Sequence, residues 1–170
     1  MTNKSLEFNK WRFLLSFVIF LYILNYTFFT FKFLLMACQD NYSFLGSNYS
    51  IETFIDEGKV KLALFTIFGA ILGGATLGII SLHKYSAVSK DLDIDHLWGY
   101  LMAPILSLII GILIFCFLQS GLLVLTGDTK NIDVTINIKI GYFSLGAICA
   151  YNWDVFIIKL QKLSSRISDN

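Results

Sequence analysis

The stretch LALFTIFGAILGGATLGIISL, residues 62–82, contains no charged side chain and decides the fold class of this chain. The apolar core of a bilayer is about 30 Å thick, and a helix of about 20 apolar residues crosses it. Residues 97–126 form a second and longer uncharged run. Both runs are therefore predicted to be membrane-spanning helices.

Two further spans complete the predicted bundle. Residues 13–33 form an apolar segment after Arg12, and residues 136–158 form one that carries Lys139 and Asp154 near its ends. Such charges are tolerated near an interface, where a lysine side chain reaches the headgroups. The first span is too long for a signal peptide and lacks a cleavage motif. We expect one all-α integral membrane domain over residues 1–170, a four-helix bundle.

Composition excludes several classes of protein. Of the 170 residues, 56% are hydrophobic and 15% are charged, whereas soluble domains carry about 25% charged residues. The net charge of +1 does not suit a nucleic-acid-binding protein. The three cysteines provide neither a disulfide framework nor a zinc site. The chain is expected to contact membrane lipid and no nucleic acid directly.

The distribution of positive charge predicts the orientation. With both termini in the cytoplasm, eight Lys and Arg residues lie inside and five outside, in the direction of the positive-inside rule. Trp11, Trp98 and Trp153 then fall on the same side, where aromatic rings settle among headgroups. Residues 34–60 become an outer connection and residues 159–170 a cytoplasmic tail.

Small residues recur at helical spacing in the second and third spans. Helices in lipid associate closely where small side chains let their backbones approach. The first span is rich in Phe and has no glycine, so it is expected outside the other three, against lipid or a neighbouring subunit. Packing within the chain is the favoured interpretation of the small residues, and an oligomer seam or a moving gate is the alternative. They are Gly69, Gly73, Gly74, Gly78, Gly99, Ala103, Ser107 and Gly111.

Both sides of the membrane carry candidate interaction surfaces. Ile51, Phe54 and Ile55 predict a short amphipathic helix in the outer connection, which either senses an external event or rests on the headgroups. Two inner segments are candidate docking sites for a soluble partner. The acidic one also suits the N-terminus of a helix, and the basic one also suits anionic lipid. Their residues are Asp91, Asp93 and Asp95 before the third span, and Lys159, Lys162 and Arg166 in the tail.

No catalytic motif is present in the sequence. The acidic segment does not match a calcium-binding loop, because His96 stands where that loop requires glycine. None of the spans carries Asp or Glu near its middle, as a proton-coupled transporter would require. We therefore expect a non-enzymatic protein without a cofactor or a metal ion.

Two stretches carry a resemblance to a known family. They are Gly99-Tyr100-Leu101-Met102-Ala103-Pro104, and Gly141-Tyr142-Phe143-Ser144-Leu145-Gly146 followed by Asp154 and Lys159-Leu160. The second half of the chain resembles KwaA, the four-span membrane subunit of bacterial Kiwa anti-phage systems. The resemblance implies an inner-membrane homo-oligomer, a tetramer, that detects phage and works with a cytosolic partner.

The sequence leaves two candidate functions open. The first is a membrane sensor and scaffold in antiviral defence that holds a cytosolic effector. The alternative is a pore-forming effector or small channel that assembles through the glycine-rich face of the second span. The absence of a polar stripe along the spans favours the first.

Overall fold

The computed structural model describes residues 2–45, 57–89, 92, 95–121 and 136–168, with side chains described except at residues 2–10, 57, 95, 163–164 and 166–168. No β-strand occurs in these ranges, which confirms the all-helical prediction. The outer residues Ile51, Phe54 and Ile55 lie outside the described residues. The elements are α1 (Thr2–Cys38), a 3-10 turn (Ser43–Leu45), α2 (Glu57–His83), a π-helical turn (Lys84–Val88), α3 (Asp95–Gln119), α4 (Ile136–Tyr151) and α5 (Trp153–Ser168).

In the part of the chain that the structure describes, three helices are long and apolar enough to cross a membrane. They are Trp11–Cys38, Gly58–Val88 and His96–Gln119. A fourth span exists if α4 and the first part of α5 are counted together, although these two helices meet at 90°. The chain is thus consistent with a multi-pass membrane protein.

Helix α2 lies at the centre of the bundle and contacts α1, α3 and α4. It is antiparallel to α3, since Gly74 lies beside Ser107 and Gly111 beside Ile67. It is parallel to α4, since Gly69 lies beside Phe143 and Lys61, near the start of α2, shares an aspartate with Lys139, near the start of α4. This up-and-down order is the one that four consecutive crossings produce.

Glycines bring the backbones of α2 and α4 into direct contact. A Cβ atom at Gly69 would lie less than 3.0 Å from the carbonyl oxygen of Phe143, and one at Gly73 would meet that of Ala147 in the same way. Gly146 of α4 makes the reciprocal approach to the backbone of Thr66. The glycine face of α2 is therefore filled by α4 of the same chain.

The other predicted small residues differ in their surroundings. A Cβ at Gly74 would overlap the side chain of Ser107, and one at Gly111 would overlap the backbone of Ile67. At Gly78 the nearest atom is a side-chain carbon of Ile23 in α1, at an ordinary 3.4 Å. The surroundings of Gly99 are open, because a Cβ atom at this position would have no neighbour within 4 Å. Gly99 therefore takes no part in close helix packing within the chain.

Helix α1 lies on the outside of the bundle. It buries Ile19 and Ile23 against α2, while Phe13, Phe17 and Phe28 are at least half exposed. In a membrane these rings face lipid or another protein. The position of α1 agrees with its lack of glycine.

The fourth predicted span is not one continuous helix. The sequence predicts a single segment over residues 136–158, but α4 ends at Tyr151 and α5 leaves it at 90°. Asn152 lies at the break, where its backbone N–H and its Nδ2 both donate to the carbonyl oxygen of Ile148, at 3.1 and 3.2 Å. Within the third predicted span, α3 ends at Gln119, and residues 122–126 lie outside the described residues.

Candidate functional site

Asp40 joins three helices at the end of the bundle where α1 ends and α2 and α4 begin. The Nζ atom of Lys139 donates to Asp40 Oδ1 at 3.1 Å. The Nζ atom of Lys61 lies 3.7 Å from the same oxygen, and the hydroxyl of Tyr42 donates to it at 3.4 Å. A single carboxylate therefore links α2 and α4 to the turn that follows α1.

The backbone at the end of α1 positions this carboxylate. Asp40 has a φ of 53°, and its N–H donates to the Ala37 carbonyl at 3.1 Å. The N–H of Asn41 donates to the Met36 carbonyl at 2.9 Å. This pair of bonds is the Schellman motif, in which the left-handed residue is usually glycine and where aspartate is tolerated better than most residues.

Lys139 is buried in an apolar setting and requires its carboxylate. Its side chain is only 6% exposed, and its Nζ lies 5.5 Å from the centre of the Phe65 ring. A buried ammonium group is stable only when it is paired. The hydrogen bond from Lys139, with the charges of Lys139 and Lys61, lowers the pKa of Asp40 below its ordinary value of 3.8.

Sequence reasoning missed this cluster. It interpreted Lys139 as a lysine that reaches the headgroups alone, and it gave Asp40 no role. A signal was available, because the predicted topology already places the start of the second and fourth spans and the end of the first on one side of the membrane. An acid beside two lysines at that level indicates pairing.

The predicted docking residues of the tail lie on α5. Lys159 and Lys162 are exposed, while Phe156 and Leu160 are half-buried. The Phe156 ring lies 6.4 Å from that of Phe117 in α3, so the first turn of α5 packs against the bundle. Helix α5 therefore presents charged side chains away from the bundle. Arg166 lies on the same helix, and its side chain is not among those described.

The predicted acidic docking site falls mainly outside the described residues. Asp91 and Asp93 are not described, and Asp95 is described only as the first residue of α3. Between them, Leu92 is 4% exposed and packs with Ile19 of α1 in one apolar cluster. Leu92, which sequence reasoning did not single out, attaches the α2–α3 connection to the bundle.

Elsewhere, a polar side-chain contact holds two helices together. Gln119 of α3 donates from Nε2 to the hydroxyl of Tyr142 in α4 at 3.3 Å, which links these two helices. Within the described residues, no group of three or more His, Cys, Asp or Glu side chains is placed to hold a metal ion.

Comparison with known proteins identifies no relative of this chain. No protein-family model matches the chain, and neither a curated protein nor a solved structure matches it. Its function is therefore inferred from the packing, the ion pairs and the exposed surfaces described above.

Proposed function

We propose that this chain is a non-enzymatic membrane subunit that senses an event at the membrane and holds a soluble effector. Following the resemblance to KwaA, its place is the bacterial inner membrane, with both termini in the cytoplasm, in an anti-phage defence system. It works as a homo-oligomer, for which the resemblance implies a tetramer.

The observation that carries the proposal is the enclosure of α2. Its glycines contact the backbone of α4 at Phe143 and Ala147 so closely that a Cβ atom would overlap. Contacts of this kind favour a fixed framework over a helix that slides or rotates. The pore alternative depends on the same glycine face as a seam between subunits, and this face is already occupied within the chain.

An oligomer therefore needs another surface, and α1 offers one. Asn25 stands near the middle of the Trp11–Cys38 span and is exposed, and its side chain makes no hydrogen bond to another described residue. An amide facing lipid without a partner is unfavourable, and such residues in membranes usually bond across helices. The exposed face of α1 is thus the surface that we assign to contact with a second copy.

The effector surface is the charged side of α5. Lys159, Gln161 and Lys162 are exposed on a helix whose first turn is attached to α3. A rigidly attached charged helix suits an acidic patch on a soluble protein. Together with Asp91, Asp93 and Asp95 of the α2–α3 connection, it would present both signs of charge to the partner.

Purification of the tagged chain from its native cells in mild detergent tests the proposal. Native mass spectrometry should detect a soluble companion in fixed ratio. The double substitution Lys159→Glu/Lys162→Glu should release the companion. Lys32→Glu, at an exposed lysine of α1, is the control and should retain it.

Two results would contradict the proposal. Retention of the companion by the double variant would exclude docking on α5. A homo-oligomer without any companion that conducts ions in liposomes would instead support the pore.

A further inference from the structure

A cavity of about 550 Å³ lies between α2 and α3, beside the junction of α4 and α5. Gly78 of α2, Tyr85 of the π-helical turn and Gly99 of α3 contribute to its walls, and Trp153 of α5 also lines it. Cavities of roughly 300 to 1,000 Å³ are the size at which proteins hold small ligands.

The early end of α4 creates this cavity. Gly69 and Gly73 of α2 contact α4, and Leu77 and Ser81, which follow at the same four-residue spacing, line the cavity instead. Residues four apart lie on one face of a helix. Because α4 ends at Tyr151 and α5 turns away by 90°, the cavity occupies the path that a straight α4 would follow.

The two ends of the cavity differ in polarity. Leu106, Ile110 and Ala150 form a mainly apolar end near the middle of α3, where Ser107 also lines the wall. Tyr85, His96 and Tyr100 form the other end, where α3 begins. This gradient matches one leaflet of a bilayer, apolar at the midplane and polar at the headgroups.

Polar atoms at the polar end lack partners. Tyr100 is only 7% exposed, and its hydroxyl has no hydrogen bond. The Nδ1 atom of His96 is also buried and unpaired, and its ring lies 4.6 Å from that of Tyr85. Buried polar atoms are nearly always hydrogen-bonded in proteins. Both atoms lie beneath the surface of the cavity, so a hydrogen-bonding headgroup would satisfy them once the two side chains turn towards it.

The length of the cavity and the lack of charged residues in its described lining restrict the class of ligand that it can hold. From Gly74 of α2 to Tyr85 of the π-helical turn that continues it, the chain rises about 16 Å, which is half of the roughly 30 Å apolar thickness of a bilayer. None of the described residues that line the cavity is Asp, Glu, Lys or Arg. The described lining therefore offers a headgroup hydrogen bonds and no charged side chain, and the nearby Lys84 Nζ lies outside the lining, 6.0 Å from the centre of the Tyr85 ring.

We propose that the cavity binds a neutral single-chain amphiphile from the surrounding leaflet. Its headgroup bonds to Tyr100 and His96, and its apolar chain extends along α3 towards Ile110. Binding at this site is independent of whether the chain holds a soluble effector, so the two proposals succeed or fail separately.

Quenching of Trp153 fluorescence tests the proposal, because this residue lines the cavity. The full chain, carrying Trp11→Phe and Trp98→Phe, is placed in phosphatidylcholine nanodiscs and titrated with a brominated monoacylglycerol. We expect a saturable quenching component. The matching brominated fatty acid, which carries a negative charge at neutral pH, should bind at least tenfold more weakly.

Two substitutions, each with a matched control, distinguish binding in the cavity from quenching by bulk lipid. Gly99→Leu places a side chain where no atom lies within 4 Å and should abolish the saturable component without unfolding the chain. Gly141→Leu, at an equally open glycine of α4, should leave it unchanged. Tyr100→Phe should raise the apparent dissociation constant by about two- to tenfold, the effect of one neutral hydrogen bond. Tyr142→Phe, away from the cavity, should not.

Non-saturable quenching in the parent chain would overturn the proposal. So would equal binding by the parent and by Gly99→Leu, or stronger binding of the fatty acid than of the monoacylglycerol.

Discussion

At the scale of single residues, Asp40 matters more than its exposed position suggests. Its carboxylate is the acceptor for Lys139, whose side chain is 6% exposed. Asn tolerates a left-handed backbone about as well as Asp does, so Asp40→Asn removes the charge and keeps the turn at φ 53°.

We expect Asp40→Asn to lower the free energy of unfolding by about 1 to 3 kcal/mol, because Lys139 stays buried without a carboxylate. Thermal unfolding in detergent measures the change. The double variant Asp40→Asn/Lys139→Met should recover most of the loss, since replacing both members of a buried pair is often neutral. A double variant as unstable as the single one would show that the pair is not the cause.

The same carboxylate predicts a dependence on pH. Its pKa in the folded chain is lower than the ordinary 3.8, first because of the hydrogen bond from Lys139. The ionised form therefore stabilises the fold above 3.8, and this contribution disappears as the pH falls through the lower folded pKa. The difference in melting temperature between the parent chain and Asp40→Asn should shrink between pH 6 and about pH 2.5. A constant difference over this range would contradict the assignment.

At the scale of elements, the contact between α2 and α4 is the least tolerant part of the bundle. We expect Gly73→Leu to lower the free energy of unfolding by about 3 kcal/mol, because its Cβ would overlap the Ala147 carbonyl oxygen. Thermal unfolding measures this loss. Gly141→Leu is the control, since its Cβ meets no atom within 4 Å. Equal melting temperatures for the two variants would contradict close packing of these helices.

Helix α1 makes a separate prediction about assembly. Asn25→Leu should weaken self-association about three- to thirtyfold, the effect of losing a hydrogen bond of about 0.6 to 2 kcal/mol between helices in a membrane. Mass measurement of the detergent-solubilised protein over a range of concentrations detects the shift. Phe28→Leu, an apolar exchange on the same exposed helix, should leave the mass distribution unchanged. An unaltered oligomer in Asn25→Leu would show that the interface between copies does not include this residue.

At the scale of the whole molecule, the break between α4 and α5 makes the side of the membrane on which the C-terminus lies the property to measure. We expect a fluorescent reporter that folds only in the cytoplasm to be bright at either terminus and dark when fused after residue 121. This follows from four crossings and from the excess of Lys and Arg on the inner side. A dark reporter at the C-terminus of the full chain would mean that α4 and α5 enter and leave on the same side.

Much of this architecture was predictable from sequence, and the exceptions have physical causes. Uncharged runs located α2 and α3, and the glycine spacing indicated which helices pack closely. The break at Asn152 was not predicted, because the segment contains neither proline nor glycine there. The pairing of Asp40 with Lys139 depends on the register between distant helices, which hydropathy does not encode.

The parallel contact of α2 with α4 also has a consequence for how the chain is made. Gly69 contacts Phe143, which follows it by 143 − 69 = 74 residues. During synthesis, α2 enters the membrane before α4 has been made. Until then, the glycine face of α2 contacts lipid or the insertion machinery. The bundle is thus completed only after α4 has been made, and a ribosome that stalls before α4 releases a chain in which the glycine face of α2 has no partner helix. Such chains are the expected substrates of membrane quality-control proteases.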